Sequence, residues 1–272
     1  MFEAGLVLNL QSARRIELAE AQAGAAAARS LGKLRPETGA TVEQIAGGYA
    51  VFAGAGSPVT QAIALGLDGS VSEEEFTRLV SFYRERNEPV RVEACPLAHA
   101  TLFDHLGAGE YRVTEFTNVM AQRIEAEPPE PAPGAAVQVR RVGAEKSDLW
   151  NRTTAAGFSE DRPVGQELLD VMKAFALADG VECYLATVDG SIAGGGTLIL
   201  RDGVAGFFGA STLPAFRRRG VQTALLRARM ERAREAKCDL AVCLAQPGSS
   251  SGRNATRLGF QVLYTRVKFE SR

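Results

Sequence analysis

Apolar positions recur along this chain with two periods, and the switches between them set out most of the elements. In the first half, an alanine-rich helical pattern covers Ala13 to Leu31 and a strand pattern covers Tyr49 to Ala53. A helix is expected from about Ser72 to Arg86, with Ser72 and Glu75 spaced as a capping box, and a strand at Val90 to Cys95. In the second half, Val137 to Val142 reads as a strand, Ala144 to Ala156 and Gln166 to Leu177 as helices, and Cys183 to Val188 as a strand. The pairs Asp189-Gly190 and Asp202-Gly203 favour tight turns, so Ile192 to Leu200 and Ala205 to Thr212 should continue as an antiparallel meander. A helix from about Arg219 to Ala236, a strand at Leu240 to Ala245, a short helix near Arg253 to Leu258 and a strand at Phe260 to Phe269 complete the order βααβββαβαβ.

Between the halves, Glu125 to Gly134 reads EAEPPEPAPG, with four prolines and no apolar period, so neither helix nor sheet can run through it. The division expected is 1–124, a proline-rich linker at 125–136, and 137–272. The halves also echo one another. Leu106-Gly107 followed by Phe116 to Val119 resembles Leu258-Gly259 followed by Tyr264 to Val267, and Phe76 to Cys95 resembles Leu225 to Leu244. The offsets are all near 150 residues, which points to a duplicated fold.

With 272 residues, 46% of them apolar and 23% charged, each half can build a core. A net charge of -1 argues against broad capture of nucleic acid or an anionic membrane. The opening MFEAGLVLNLQSARR lacks the features of a secretory signal, and no apolar run approaches the roughly 20 residues of a membrane span, so a cytoplasmic protein is expected. Cys95, Cys183, Cys238 and Cys243 form no CxxC pair, and only His99 and His105 could add imidazole ligands. Buried, reduced thiols and no metal site are the expectation.

The local basic cluster needs its own explanation. Leu213 to Leu226, LPAFRRRGVQTALL, follows a strand and opens a helix, where unpaired N–H groups and the helix dipole favour phosphate. Gly220 removes a Cβ from the approach, and Arg217, Arg218 and Arg219 add charge that phosphate oxygens can use. Arg217 to Gln222 resembles the R/Q-x-x-G-x-G/A pyrophosphate loop of the GNAT superfamily of N-acetyltransferases, and Pro214 and the downstream Asn254…Leu258-Gly259-Phe260 fit the same family over roughly Val137 to Arg272. The resemblance implies an α/β (α+β) protein of two GNAT-like domains, each a mixed, mostly antiparallel sheet flanked by helices, with the N-terminal copy degenerate. The segment of that copy where the loop should lie is acidic, DGSVSEEE at Asp68 to Glu75, and would repel pyrophosphate.

By the same resemblance, Ser211, Thr212 and Leu213 would hold the pantetheine arm of acetyl-CoA through their main chain. The loop and helix start, Arg217, Arg218, Arg219, Gly220, Val221, Gln222, Thr223 and Ala224, would hold its pyrophosphate, with Asn254 nearby. Two departures matter. Gln222 stands where Gly or Ala is usual, and Ala255 stands where many members place a tyrosine that protonates the leaving thiolate. Tyr264 is the candidate replacement acid. Glu160 and Asp161, between the first two helices of that half, are candidates for facing the acceptor. The function implied is acetyl-CoA-dependent transfer of an acetyl group to an amine, the acceptor a small molecule. The alternatives are an acyl-CoA-binding sensor or scaffold that performs no transfer, and acetylation of protein amines.

Overall fold

The computed structural model describes residues 8–125, 137–158 and 165–272. Most of the proline-rich segment, together with Glu160 and Asp161, lies outside the described residues. In chain order the elements are α1 (Leu10–Leu34), β1 (Thr41–Ile45), β2 (Gly48–Phe52), β3 (Gln61–Ile63), α2 (Glu73–Arg84), β4 (Arg91–Ala94), α3 (Ala100–Ala108) and β5 (Tyr111–Arg123). They continue as β6 (Val137–Val142), α4 (Ser147–Phe158), α5 (Gln166–Ala176), β7 (Val181–Val188), β8 (Ser191–Arg201), β9 (Val204–Thr212), α6 (Val221–Glu235), β10 (Leu240–Ala245), α7 (Ser250–Arg257) and β11 (Gln261–Ser271). Short 3-10 turns precede β1, α4 and α6. The run β1-β2-β3-α2-β4-α3-β5 repeats as β7-β8-β9-α6-β10-α7-β11, so the duplication suggested by the sequence echoes extends to the order of elements.

Contacts divide the chain into two compact units, residues 1–121 with 244–272, and residues 122–243. This differs from the sequence-based division at 125–136, because the last 29 residues of the chain pack with the first 121. The physical reason is β11. It pairs antiparallel with β4 on one side (Val267↔Ala94 to Glu270↔Arg91) and antiparallel with β5 on the other. Within the first unit the strand order is therefore β1-β2-β3-β4-β11-β5, with only β3 and β4 parallel. The two echo segments meet in this sheet: Phe116↔Val267, Thr117↔Arg266, Asn118↔Thr265 and Val119↔Tyr264, each the other's partner in reverse.

Helix α1 covers this sheet. Asn9 and Ser12 form a reciprocal capping box at its start. Its many alanines, Ala13, Ala21, Ala25 and Ala28 among them, are buried and let the helix lie close. One charged side chain shares that face. Glu17, fully buried, accepts from Arg266 Nε at 2.8 Å and from the Tyr264 hydroxyl at 2.7 Å, while Arg266 Nη2 reaches Glu20 at 2.5 Å. Burial raises the Glu17 carboxyl above its ordinary range, and the nearby Arg266 only partly offsets it.

The second unit has the order β10-β9-β8-β7-β6. Its hairpins turn at Asp189-Gly190 and Asp202-Gly203, all four residues at positive φ, as two-residue turns between right-twisted strands require. Trp150 and Ala155 of α4, Met172 of α5, and Cys183 and Leu185 of β7 form its core cluster. The parallel pair here is β9 with β10, joined at Leu240↔Val204, Ala241↔Ala205 and Val242↔Gly206. No disulfide joins the four cysteines, and Cys95, Cys183 and Cys238 are buried. Among the described residues no helix is long and apolar enough to cross a membrane, and no group of His, Cys, Asp and Glu could hold a metal ion.

Candidate active site

Strand β9 ends at Thr212, a 3-10 turn follows at Pro214–Phe216, and Arg218 (φ 62) and Gly220 (φ 79) both take the left-handed conformation before α6 begins. Gly220 is the N-cap, and no side chain caps this helix. The first helical bond runs from Ala224 N to Gly220 O at 3.0 Å, so the amides of Val221, Gln222 and Thr223 precede the helical ladder. A Cβ built on Gly220 would meet nothing within 4 Å, which leaves the space beyond the helix end open. Arg217, Arg218 and Arg219 are exposed around it; Arg219 Nη2 reaches Asp189 at 2.7 Å and lies over the Phe216 ring. These free donors, the open cradle and the three cations suit an anionic diphosphate.

The departure at position 222 costs the site little. The Gln222 side chain folds back toward β9, its Nε2 3.5 Å from the Ala210 carbonyl, and stays off the open end of the helix.

Three consecutive glycines in β8 set the position of α6. A Cβ on Gly194 would come within 3.1 Å of Val221, the first residue of α6, and one on Gly196 within 3.1 Å of Arg229 on the same helix. One on Gly195, facing the other way, would meet Thr154 and Trp150 of α4. Helices on both faces of the sheet can therefore seat directly on the backbone. Ser211 is buried with its hydroxyl donating to the Thr154 carbonyl at 2.8 Å, and Leu213 N donates to Ala193 O at 2.9 Å, which fixes the end of β9 before the loop. Sequence reasoning missed this support, although a run of three glycines inside a strand pattern was its visible signal.

In the first unit, the corresponding helix start is closed. Ser72 accepts from Glu75 N while Glu75 accepts from Ser72 N, so α2 caps itself, and Glu73, Glu74 and Glu75 fill its first turn. Asp68 is engaged by Arg14, whose Nη2 lies 2.8 Å from its carboxylate. Donors and charge are both unsuited to phosphate there.

Two of the expected site residues fall in the first unit, whereas the loop lies in the second. Asn254 is on α7 and accepts from Arg257 at 2.9 Å. Tyr264 is on β11, 6% exposed, and its hydroxyl is committed to Glu17. Burial, then the Glu17 charge, push its phenol far above the usual range, so the structure gives Tyr264 a partner in the buried network where a proton donor was expected. Tyr264→Phe is accordingly expected to cost about 1–3 kcal/mol of stability, because Glu17 loses a donor in a buried place, while leaving acetyl-CoA affinity unchanged. Thermal unfolding and calorimetry on the same preparation check both. Ala255 is buried at the end of α7.

This geometry, a mostly antiparallel sheet with one parallel pair beside an uncapped, arginine-rich helix start, defines the class: the fold is that of the GCN5-related N-acetyltransferases. Residues 130–244 match the family model described as an acetyltransferase (GNAT) domain. Among solved structures, a GCN5-related N-acetyltransferase from Kribbella flavida is similar over 90% of this chain and 95% of its own, at 16% identity and a TM-score of 0.64. A GCN5-related N-acetyltransferase from Sphaerobacter thermophilus is similar over 68% and 59% (16% identity, TM-score 0.53). A tandem GNAT protein from the clavulanic acid biosynthesis pathway is similar over 72% and 68% (15% identity, TM-score 0.52). No curated protein matches the chain.

Proposed function

We propose that this protein is an acetyl-CoA-dependent N-acetyltransferase that acetylates an amine of a small molecule, with its donor site on the second unit alone. The observation that carries the reading is the uncapped start of α6, open above Gly220 and ringed by Arg217, Arg218 and Arg219. The main chain of Val221 to Thr223 would hold the pyrophosphate, the Ala224 amide being spent on Gly220 O, and that of Ser211 to Leu213 the pantetheine arm. Acetyl-CoA supplies the activated acyl group. The protein's own share is orientation, and backbone donors along β9 that polarise the thioester carbonyl.

A second reading, an acyl-CoA sensor that transfers nothing, is favoured by Ala255 and by the lack of any carboxylate from Val204 to Thr212. Calorimetric titration with acetyl-CoA is expected to give one site per chain, because the self-capped, acidic start of α2 offers no second one. Two equivalent sites would overturn that assignment. Free-thiol release on addition of an amine panel separates transferase from sensor: thiol released with an acetylated amine detectable by mass supports transfer, and tight binding with no release supports the sensor.

A further inference from the structure

Arg229 of α6 is 2% exposed, and among the described residues no carboxylate pairs with it. Its partners are backbone carbonyls. Nε donates to Leu225 O at 3.0 Å within the helix, and Nη1 donates to Thr197 O of β8 at 2.7 Å and reaches Phe208 O of β9 at 3.4 Å. The guanidinium lies over the Phe207 ring, 5.3 Å from its centroid. A fully buried cation without a counter-ion is costly, and carbonyls and a ring repay only part of that. Burial draws its pKa down to about 10, which still leaves it charged at neutral pH.

Its place in the fold is a fork. The parallel ladder of β9 and β10 stops at Val242↔Gly206, while β9 continues to Thr212 and β10 to Ala245. Phe208 lies two residues past the last pair on β9. Cys243 lies one residue past it on β10, near enough for the Arg229 charge to draw the thiol down against burial, which dominates and pushes it up to about 12. At the same level the β8 ladder slips register between Gly195↔Ser211 and Thr197↔Phe208, so Gly209 and Ala210 stand against Gly196 alone. Gly209 has φ 55, and Thr197 Oγ1 also donates to Phe208 O, at 2.8 Å. The guanidinium thus bonds one carbonyl on β8 and one on β9 beside a bulge, at the point where β9 and β10 part.

Resting on the acetyl-CoA reading above, we propose that Arg229 is the positioning residue of the fork: its charge favours the thiolate form of the departing CoA sulfur, in place of the proton donor missing at Ala255. With the pyrophosphate held at α6 and the pantetheine arm along Leu213 to Ser211, the sulfur end of the arm would lie toward Phe208 on β9. In the transfer the amine nitrogen forms a bond to the thioester carbonyl carbon, and the carbon–sulfur bond breaks with its electron pair going to sulfur. The ammonium proton passes to water. The products are amide, CoA thiolate and a solvated proton, so no acid is needed if the thiolate is stabilised where it forms.

The test is the ionisation of bound CoA, read from its thiolate absorbance as pH is raised, with calorimetry establishing occupancy. In the wild type the bound thiol is expected to ionise about 1 pH unit or more below the free thiol, which titrates near 8.5. Arg229→Lys, which keeps the charge, should retain most of that shift. Arg229→Gln, which keeps donors without charge, and Arg229→Met should lose it while binding CoA with wild-type affinity at a pH where the thiol is protonated. A purely structural role would not distinguish Lys from Gln in this way. A wild-type bound thiol that ionises no lower than free CoA overturns the proposal without reference to any variant, as do Lys and Gln variants with equal shifts. Failure of the wild type to bind CoA at all would instead bring down the acetyl-CoA reading on which the proposal stands.

Discussion

Replacing Arg266 by methionine is expected to cost about 3–5 kcal/mol of stability, the loss that follows when one partner of a buried ion pair is removed and the other stays behind. Arg266 is 1% exposed and Glu17 is fully buried, so water cannot take over the role of the guanidinium. One Glu17 oxygen already has no hydrogen-bond partner, and the other would keep only Tyr264. The sign of the pH dependence follows from the raised Glu17 carboxyl. A folded state that holds a proton which the unfolded state gives up loses stability as pH rises above the ordinary value of 4.5. Removing Arg266 raises the folded value further, so the deficit relative to wild type should be larger at pH 7 than at pH 5. Urea unfolding at the two pH values measures it. A deficit under about 1 kcal/mol at pH 7 would show that the pair does not hold α1 to β11. Glu17→Leu in the same chain should recover much of the loss, because it removes the stranded carboxylate.

Gly220→Glu is expected to weaken acetyl-CoA binding by about 100-fold or more, some 2.7 kcal/mol, in a chain that remains folded. Two effects add. A carboxylate at the mouth of the helix opposes pyrophosphate where the dipole and three arginines favour it, and a side chain at φ 79 strains the turn that presents the amides. The fold should survive because the position is exposed and a Cβ there meets no neighbour. Calorimetry with acetyl-CoA, beside circular dichroism of the same sample, decides it. An unchanged affinity would remove the diphosphate from this loop.

The open, arginine-rich start of α6 was legible in the sequence because its determinants are local: Gly220, three arginines and a preceding strand lie within a dozen residues. The Asp-Gly turns were legible for the same reason. By contrast β3, with three residues, is too short to show a period, and β5 carries a bulge in its ladder with β11 that breaks its alternation. The bond of Tyr264 to Glu17 was not legible because the two lie 247 positions apart, and no spacing rule connects them. Arg229 was hidden in another way. In a helix written VQTALLRARMERARE it is one arginine among four, and only the close approach of Gly196 singles it out as the buried one.

The position of β11 sets the order of synthesis against the order of folding. Residues 122–243 contain nearly everything their own unit needs and can close while the chain is still emerging. The unit that begins at the N-terminus cannot, because β4 and β5 wait for a strand that is made some 150 residues later. Closing so long a loop costs little extra free energy but much time, and during that time the facing edges of β4 and β5 lack their partner. The unit whose chain the ribosome delivers first is thus the one that finishes last, and the holding of nascent chains by chaperones bears on it more than on residues 122–243.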